Sequence, residues 1–172
     1  MKKKFPAIFL PFFLLDFLTK YYTYHFIPKM SYSKPEFPYG GIKVFQKLFG
    51  GIDFSIVHVE NLGAAWGIFS AYSEYLLWAR LAIIGILFIY LVFFIKETKK
   101  QIPIIMIITG AAGNILDFPL YGHVIDMMYF KFWDFSYPIF NVADCMITCG
   151  IFLLFFLSLT QKKTHVSQER IS

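Results

Sequence analysis

Apolar residues run along this chain in four long blocks, at roughly 5–27, 75–95, 102–118 and 140–160. Each is close to the ~20 residues that a helix needs to cross the hydrocarbon of a bilayer. Between the first two blocks the pattern is finer. "SYSKPEFPYGG" is rich in Pro, Gly and Ser and reads as loop. In "IKVFQKLF", Ile42, Phe45, Leu48 and Phe49 recur at helical spacing opposite Lys43, Gln46 and Lys47, which predicts a short amphipathic helix in the headgroup region. "GIDFSIVHV" alternates, with Ile52, Phe54 and Ile56 against Asp53, Ser55 and Val57, and predicts a strand of a small sheet resting on the outer membrane surface. The expected fold is an all-α membrane architecture: a four-transmembrane-helix bundle with a small extracytoplasmic β-sheet and a short amphipathic surface helix. Residues 1–172 are expected to form a single integral membrane domain, with extracytoplasmic segments at 28–74 and 119–139.

Composition supports the membrane reading: 58% of the residues are hydrophobic and 22 are Phe, too apolar for a soluble domain of 172 residues. The net charge of +5 could point to nucleic acid, but its distribution points elsewhere. Three flanks, one before the first block, one at 96–101 and one after the fourth, together carry nine basic and two acidic residues, whereas the rest of the chain nets −2. Cationic flanks stay in the cytoplasm, so both termini and the 96–101 loop are expected inside and the other two connections outside. The start, "MKKKFPAIFLPFFLL", imitates a secretory signal, yet no small-x-small cleavage site follows, and it reads as an uncleaved first span. Cys145 and Cys149 share a face of the fourth helix; a structural disulfide and a metal site are both disfavoured, and packing is the expected role.

Polar groups inside such spans are expensive, so their depth is informative. Counting ~1.5 Å per residue from the cytoplasmic flanks puts Asp16 near 18 Å, Asn114 near 20 Å, Lys20, Arg80 and Asp117 near 24 Å, and Asp144 near 27 Å. Every span carries its ionisable groups toward the outer side, and the inner halves are almost wholly apolar. Four spans converging at one depth predict a polar site open to the outer face. Snorkelling into headgroups accounts well for Lys20 and fairly for Arg80, but poorly for the short Asp side chains. Asp16 and Lys20 lie at i, i+4 and can pair, with structural support the expected role. Gly110 and Gly113 of "TGAAGN" read as helix-packing residues, whereas the Asn114 amide needs a partner.

Two carboxylates stand out as chemistry. Asp126 of "GHVIDM" follows Pro119 and Gly122, which mark a turn outside the third span; Asp144 of "FNVAD" lies where the chain re-enters for the fourth. If they meet, both cannot stay ionised, and a pair sharing one proton can activate water and polarise a carbonyl. No Ser/His/Asp grouping competes on this side. His123 beside Asp126 could suggest a metal, but too few ligands are in view and the H-E-x-x-H spacing is absent. A hydrolytic carboxylate dyad is favoured, while a proton-coupled membrane carrier using the same carboxylates and a purely structural bundle remain open.

The succession "DFLTK", "NLGAAWG", "GAAGNILD", "GHVIDM" and "FNVADCMI" resembles the lipoprotein signal peptidases, or signal peptidase II, over nearly the whole chain. That resemblance implies a bacterial inner-membrane aspartyl endopeptidase, inhibited by globomycin. It would cut prolipoproteins just before a cysteine carrying diacylglycerol, with its active site on the periplasmic face. It implies Asp126 and Asp144 as the catalytic pair. It implies Asn61, Gly63, Ala64, Asn114 and Asn141 as substrate-binding or orienting residues, and Asp16, Lys20, Arg80 and Asp117 as supporting ones. The sheet and surface helix would correspond to the family's cradle and lid-like elements. Its implied partners are diacylglyceryl-modified prolipoproteins and membrane lipid, not nucleic acid; a monomer is expected, and no cofactor or metal is required. The chain departs from the family in two places. Phe118 stands where an Arg commonly follows the Asp of "GNxxD", with Arg80 a candidate substitute, and the 31–41 segment looks longer than usual.

Overall fold

The computed structural model describes residues 4–34, 36–62 and 70–169. Its order is α1 (Lys4–Phe26), β1 (Ile42–Leu48), β2 (Ile52–Asn61), a 3-10 turn (Ser70–Tyr72), α2 (Ser73–Phe93), α3 (Thr98–Tyr121), β3 (Val124–Phe132), β4 (Phe135–Ser136) and α4 (Val142–Glu169). All four α-helices are long and apolar enough to cross a membrane. Large apolar side chains such as Phe12, Ile86, Phe152 and Phe155 point outward from them. A surface of that kind is stable against hydrocarbon rather than water.

The third helix is the axis of the bundle and packs against each of the other three. At one end Leu91, Ile95, Ile104, Ile105 and Ile108 form an apolar core, with Phe5, Ile8, Ile84 and Leu87 against it. Small residues set the close approach of α3 and α4. A Cβ on Gly110 would run into the Ala143 carbonyl, and one on Gly113 into the Asp16 carboxylate. Gly113 thus makes room for a polar group as well as a helix. The third helix also extends beyond its expected end. It runs through Pro119 to Tyr121 and stops at Gly122, whose left-handed φ of 81° lets its N–H reach the Phe118 carbonyl. Pro119 therefore sits inside the last turn of the helix, and only Gly122 marks the bend.

The sheet is antiparallel throughout, in the order β1-β2-β3-β4. Two of its strands depart from expectation. Residues 42–48 form an edge strand and not a surface helix. The pairing explains the misreading: Ile42, Phe45 and Leu48 face Ile56, Phe54 and Ile52, with an irregularity in each interval. Each bulge adds a residue, so positions three apart stay on one face and imitate a helical period. The other strand, β3, lies within what reads from sequence as a connection. Its residues from Val124 to Met127 are all buried, so there is no alternation to betray it. Asp126 therefore sits on a strand of the sheet.

Candidate functional site

Opposite the apolar core, Asp16, Lys20, Asn114, Asp117, Asp126 and Asn141 are buried where α1, α3, the sheet and the start of α4 meet. Lys20 is the hub. It is 1% exposed, so its ammonium is enclosed rather than snorkelling outward. Its three donors each find an acceptor: Asp16 Oδ2 at 2.8 Å, Asp117 Oδ2 at 2.8 Å and Asn114 Oδ1 at 2.9 Å. An ammonium can only donate, so it fixes which way the Asn114 amide points. The Asn114 Nδ2 then faces α4 and donates to Asp144 Oδ1 at 2.9 Å.

The first turn of α4 is built around Asn141. Its Oδ1 accepts the Asp144 N–H at 2.9 Å, and its own N–H donates to Asp144 Oδ2 at 3.2 Å. This reciprocal pairing is a capping box, with Asp at the third helical position. Asp16 caps the same turn from α1, its Oδ1 accepting the Ala143 N–H at 2.7 Å. Two of the helix's orphan N–H groups are thereby satisfied. Asp144 accepts two N–H donors and lies where the α4 dipole favours negative charge. A signal for this corner was present in the sequence, since "NVAD" is a capping-box spacing.

Asn141 also ties the two carboxylates together. Its Nδ2 donates to Asp126 Oδ1 at 2.8 Å, with the Asn114 Oδ1 and the Ile125 carbonyl at 3.1 and 3.3 Å. The other oxygen of Asp126 accepts from Asn61 Nδ2 at 2.8 Å. The sheet register delivers that contact. Val59 pairs with Asp126 and Asn61 with Val124, which makes Asn61 and Asp126 diagonal neighbours on one face. An irregularity between Ile56 and Val59 sets this face, a common device beside functional sites. Asp117 closes the network from α3, its Oδ2 accepting the Ile125 N–H at 3.3 Å.

Burial, and then the neighbouring Asp144, push the Asp126 carboxyl up to about 7. A group poised there beside a second carboxylate can hold a proton for donation while its neighbour accepts one. Both line a cavity of about 500 Å³ together with Asn61, Arg80, Asn114 and Tyr137. Arg80, from α2, stands over the Phe118 ring at 5.5 Å from its centroid. A guanidinium therefore borders the cavity although position 118 is Phe. His123 is turned away from Asp126: its Nε2 lies 3.2 Å from Glu60 Oε1.

Of the residues expected here, Asn61, Asn114, Asn141, Asp126 and Asp144 share hydrogen bonds, and Asp16, Lys20 and Asp117 support them from α1 and α3. Gly63 and Ala64 lie outside the described residues. The cysteines were misjudged as packing residues. Cys145 and Cys149 are free, the latter exposed, and both line the cavity with Thr148. Cys145 and Cys149 form an i, i+4 pair on the strip of α4 next to that of Asp144 and Thr148, a signal available beforehand. Tyr137 and Ile139 also line the cavity, from a loop without periodicity to reveal them.

A family model described as "Signal peptidase (SPase) II" matches residues 8–160. The lipoprotein signal peptidase of Chlamydia pneumoniae is 38% identical over 110 residues, covering 63% of this chain and 66% of that protein, just under two thirds. That of Clostridium acetobutylicum is 34% identical over 113 residues, covering 64% and 73%. Among solved structures, a bacterial membrane enzyme determined in meso at 2.3 Å superposes with a TM-score of 0.77 at 25% identity, covering 94% of this chain and 90% of the other. A second, at 1.9 Å, gives 0.70 at 26% identity, covering 91% and 92%.

Proposed function

The chain belongs to the signal peptidase II family, and on that premise we propose that it is a membrane-embedded aspartyl endopeptidase. Its substrates are prolipoproteins, cut immediately before the cysteine that carries diacylglycerol. The observation that supports this best is the hinge at Asn141, whose side chain and backbone hold Asp126 and Asp144 in one hydrogen-bonded corner of a cavity.

Asp144 takes a proton from water as the oxygen adds to the scissile carbonyl. Asp126 holds the shared proton and gives it to the carbonyl oxygen. The tetrahedral intermediate collapses by breaking the C–N bond: the cysteine nitrogen leaves with the proton that Asp144 received, and a hydroxyl of the intermediate returns a proton to Asp126, which leaves a carboxylic acid and restores the pair. Asn61 and Asn141 orient Asp126. Asn114 holds Asp144 and is itself held by Lys20, which Asp16 and Asp117 anchor. Arg80 supplies positive charge at the rim, opposite the two carboxylates. Both termini lie in the cytoplasm and the site faces the periplasm, in keeping with the basic flanks. The enzyme acts as a monomer within membrane lipid.

The test is cleavage by the purified chain, reconstituted in lipid, of a synthetic precursor with and without diacylglycerol on its cysteine. Mass spectrometry should find a new N-terminal cysteine from the lipidated form alone. Equal cleavage of both forms, or of neither, would contradict the assignment.

A further inference from the structure

The cleft does not end at the two carboxylates. On the sheet side a second cavity, of about 510 Å³, is walled by Tyr32, Glu60, Tyr129, Ser136 and Tyr137. It shares Asn61, Asp126 and the 137–139 segment with the first, so the two meet at Asp126. Their surroundings differ. The first follows α4 along Cys145, Thr148 and Cys149, on a helix long and apolar enough to span a membrane. Among the described residues, the walls of the second come from the sheet and from loops outside the four spans.

We infer that this second cavity is a binding subsite for the first residues of the mature polypeptide, those after the modified cysteine. The inference rests on the signal-peptidase reading given above. Substrate polarity decides the direction. An apolar signal segment must remain on the hydrocarbon side, along α4. The chain beyond the scissile bond then leaves past Asp126 toward the sheet.

The walls fit a short polar peptide. Tyr32, Tyr129 and Tyr137 offer rings with hydroxyl groups, able to cover a backbone and hydrogen-bond it. The Ser136 and Tyr129 hydroxyls sit 2.9 Å apart, leaving further lone pairs toward the cavity. Glu60 brings no open negative charge, since Lys29 lies at 2.5 Å and His123 at 3.2 Å. The long loop before β1 holds Tyr32 in place through rings. Tyr32 packs on Tyr39 at 4.9 Å, Tyr39 on Phe37 at 6.0 Å, and Phe37 on Tyr129 at 5.4 Å. Tyr32 itself is 76% exposed, which leaves most of its surface for a ligand.

Two fluorescent probes test this on the full chain in lipid nanodiscs: diacylglyceryl-cysteine amide, and the same molecule extended by a short Ser/Gly/Asn peptide. The wild type should bind the extended probe about tenfold tighter. In Tyr32→Ala and in Ser136→Phe, which fills the cavity, the ratio should fall to near one. Equal binding of both probes by the wild type, or a ratio that survives in both variants, would overturn the subsite. Cleavage of a lipidated precursor, followed separately, keeps the two ideas apart. Cleavage without a binding ratio removes the subsite alone, whereas a ratio without cleavage removes the peptidase reading and leaves a peptide site.

Discussion

Four carboxylates, Asp16, Asp117, Asp126 and Asp144, share one buried polar region with two cations, Lys20 and Arg80. Full ionisation would leave an excess of negative charge in a medium that stabilises it poorly, and Asp126 is where a proton is retained, with its carboxyl raised to about 7. Two consequences follow from that sign. On the proposed mechanism Asp126 and Asp144 need one proton between them before substrate binds, so kcat/KM should fall as pH rises through about 7 in a single-proton step; a flat profile from pH 6 to 9 would contradict it. The folded state also binds this proton more tightly than the unfolded chain does, so its contribution is fully present below about 4 and is lost as pH rises through about 7. Thermal unfolding in detergent should show Tm declining over that window in wild type and less so in Asp126→Asn. Lys20 carries a different prediction. Lys20→Met leaves Asp16 and Asp117 buried without their cation, a loss of about 3–5 kcal/mol, readable as a large fall in Tm. An exposed, snorkelling lysine would give almost none.

Helices and strands differed in how well the sequence disclosed them. The spans were legible because hydrocarbon demands long apolar runs, and the Asp residues were legible because a short carboxylate in such a run requires an explanation. The strand β1 was not, since two bulges turn an alternating pattern into a spacing of three at Ile42, Phe45 and Leu48. The strand β3 was hidden by burial on both faces. Lys20 was misplaced because depth counting gives height in the membrane and not the direction a side chain takes. Tyr32, Tyr129 and Ser136 come together only through loop and strand packing, for which no local pattern exists. At this scale the contact between α3 and α4 is the sensitive one, because it carries Asn114 and Asp144 to each other. Gly110→Ala pushes a methyl into the Ala143 carbonyl and should cost about 1–3 kcal/mol, with activity falling alongside. Gly85→Ala, where a Cβ meets nothing, is the matched control and should leave both unchanged.

Taken whole, the molecule is polarised from end to end. Apolar side chains fill one half of the bundle around Leu91, Ile104 and Ile105, and the polar network fills the other, capped by the sheet. A proton-coupled carrier would need polar groups in both halves to pass a charge across; a protease acting at one face needs them in one. Orientation is the companion prediction. A reporter fused after α4 should be cytoplasmic and an epitope in the loop before β1 periplasmic, and the opposite pair of results would invert the assignment of faces. The central claim, however, is that Asp126 and Asp144 act together on a prolipoprotein. It is tested most directly in cells depleted of their own lipoprotein signal peptidase, by following one lipidated precursor after expression of wild type, Asp126→Asn or Asp144→Asn. Processing by the wild type and by neither near-isosteric variant is the predicted result; processing by both variants at the wild-type rate would contradict it.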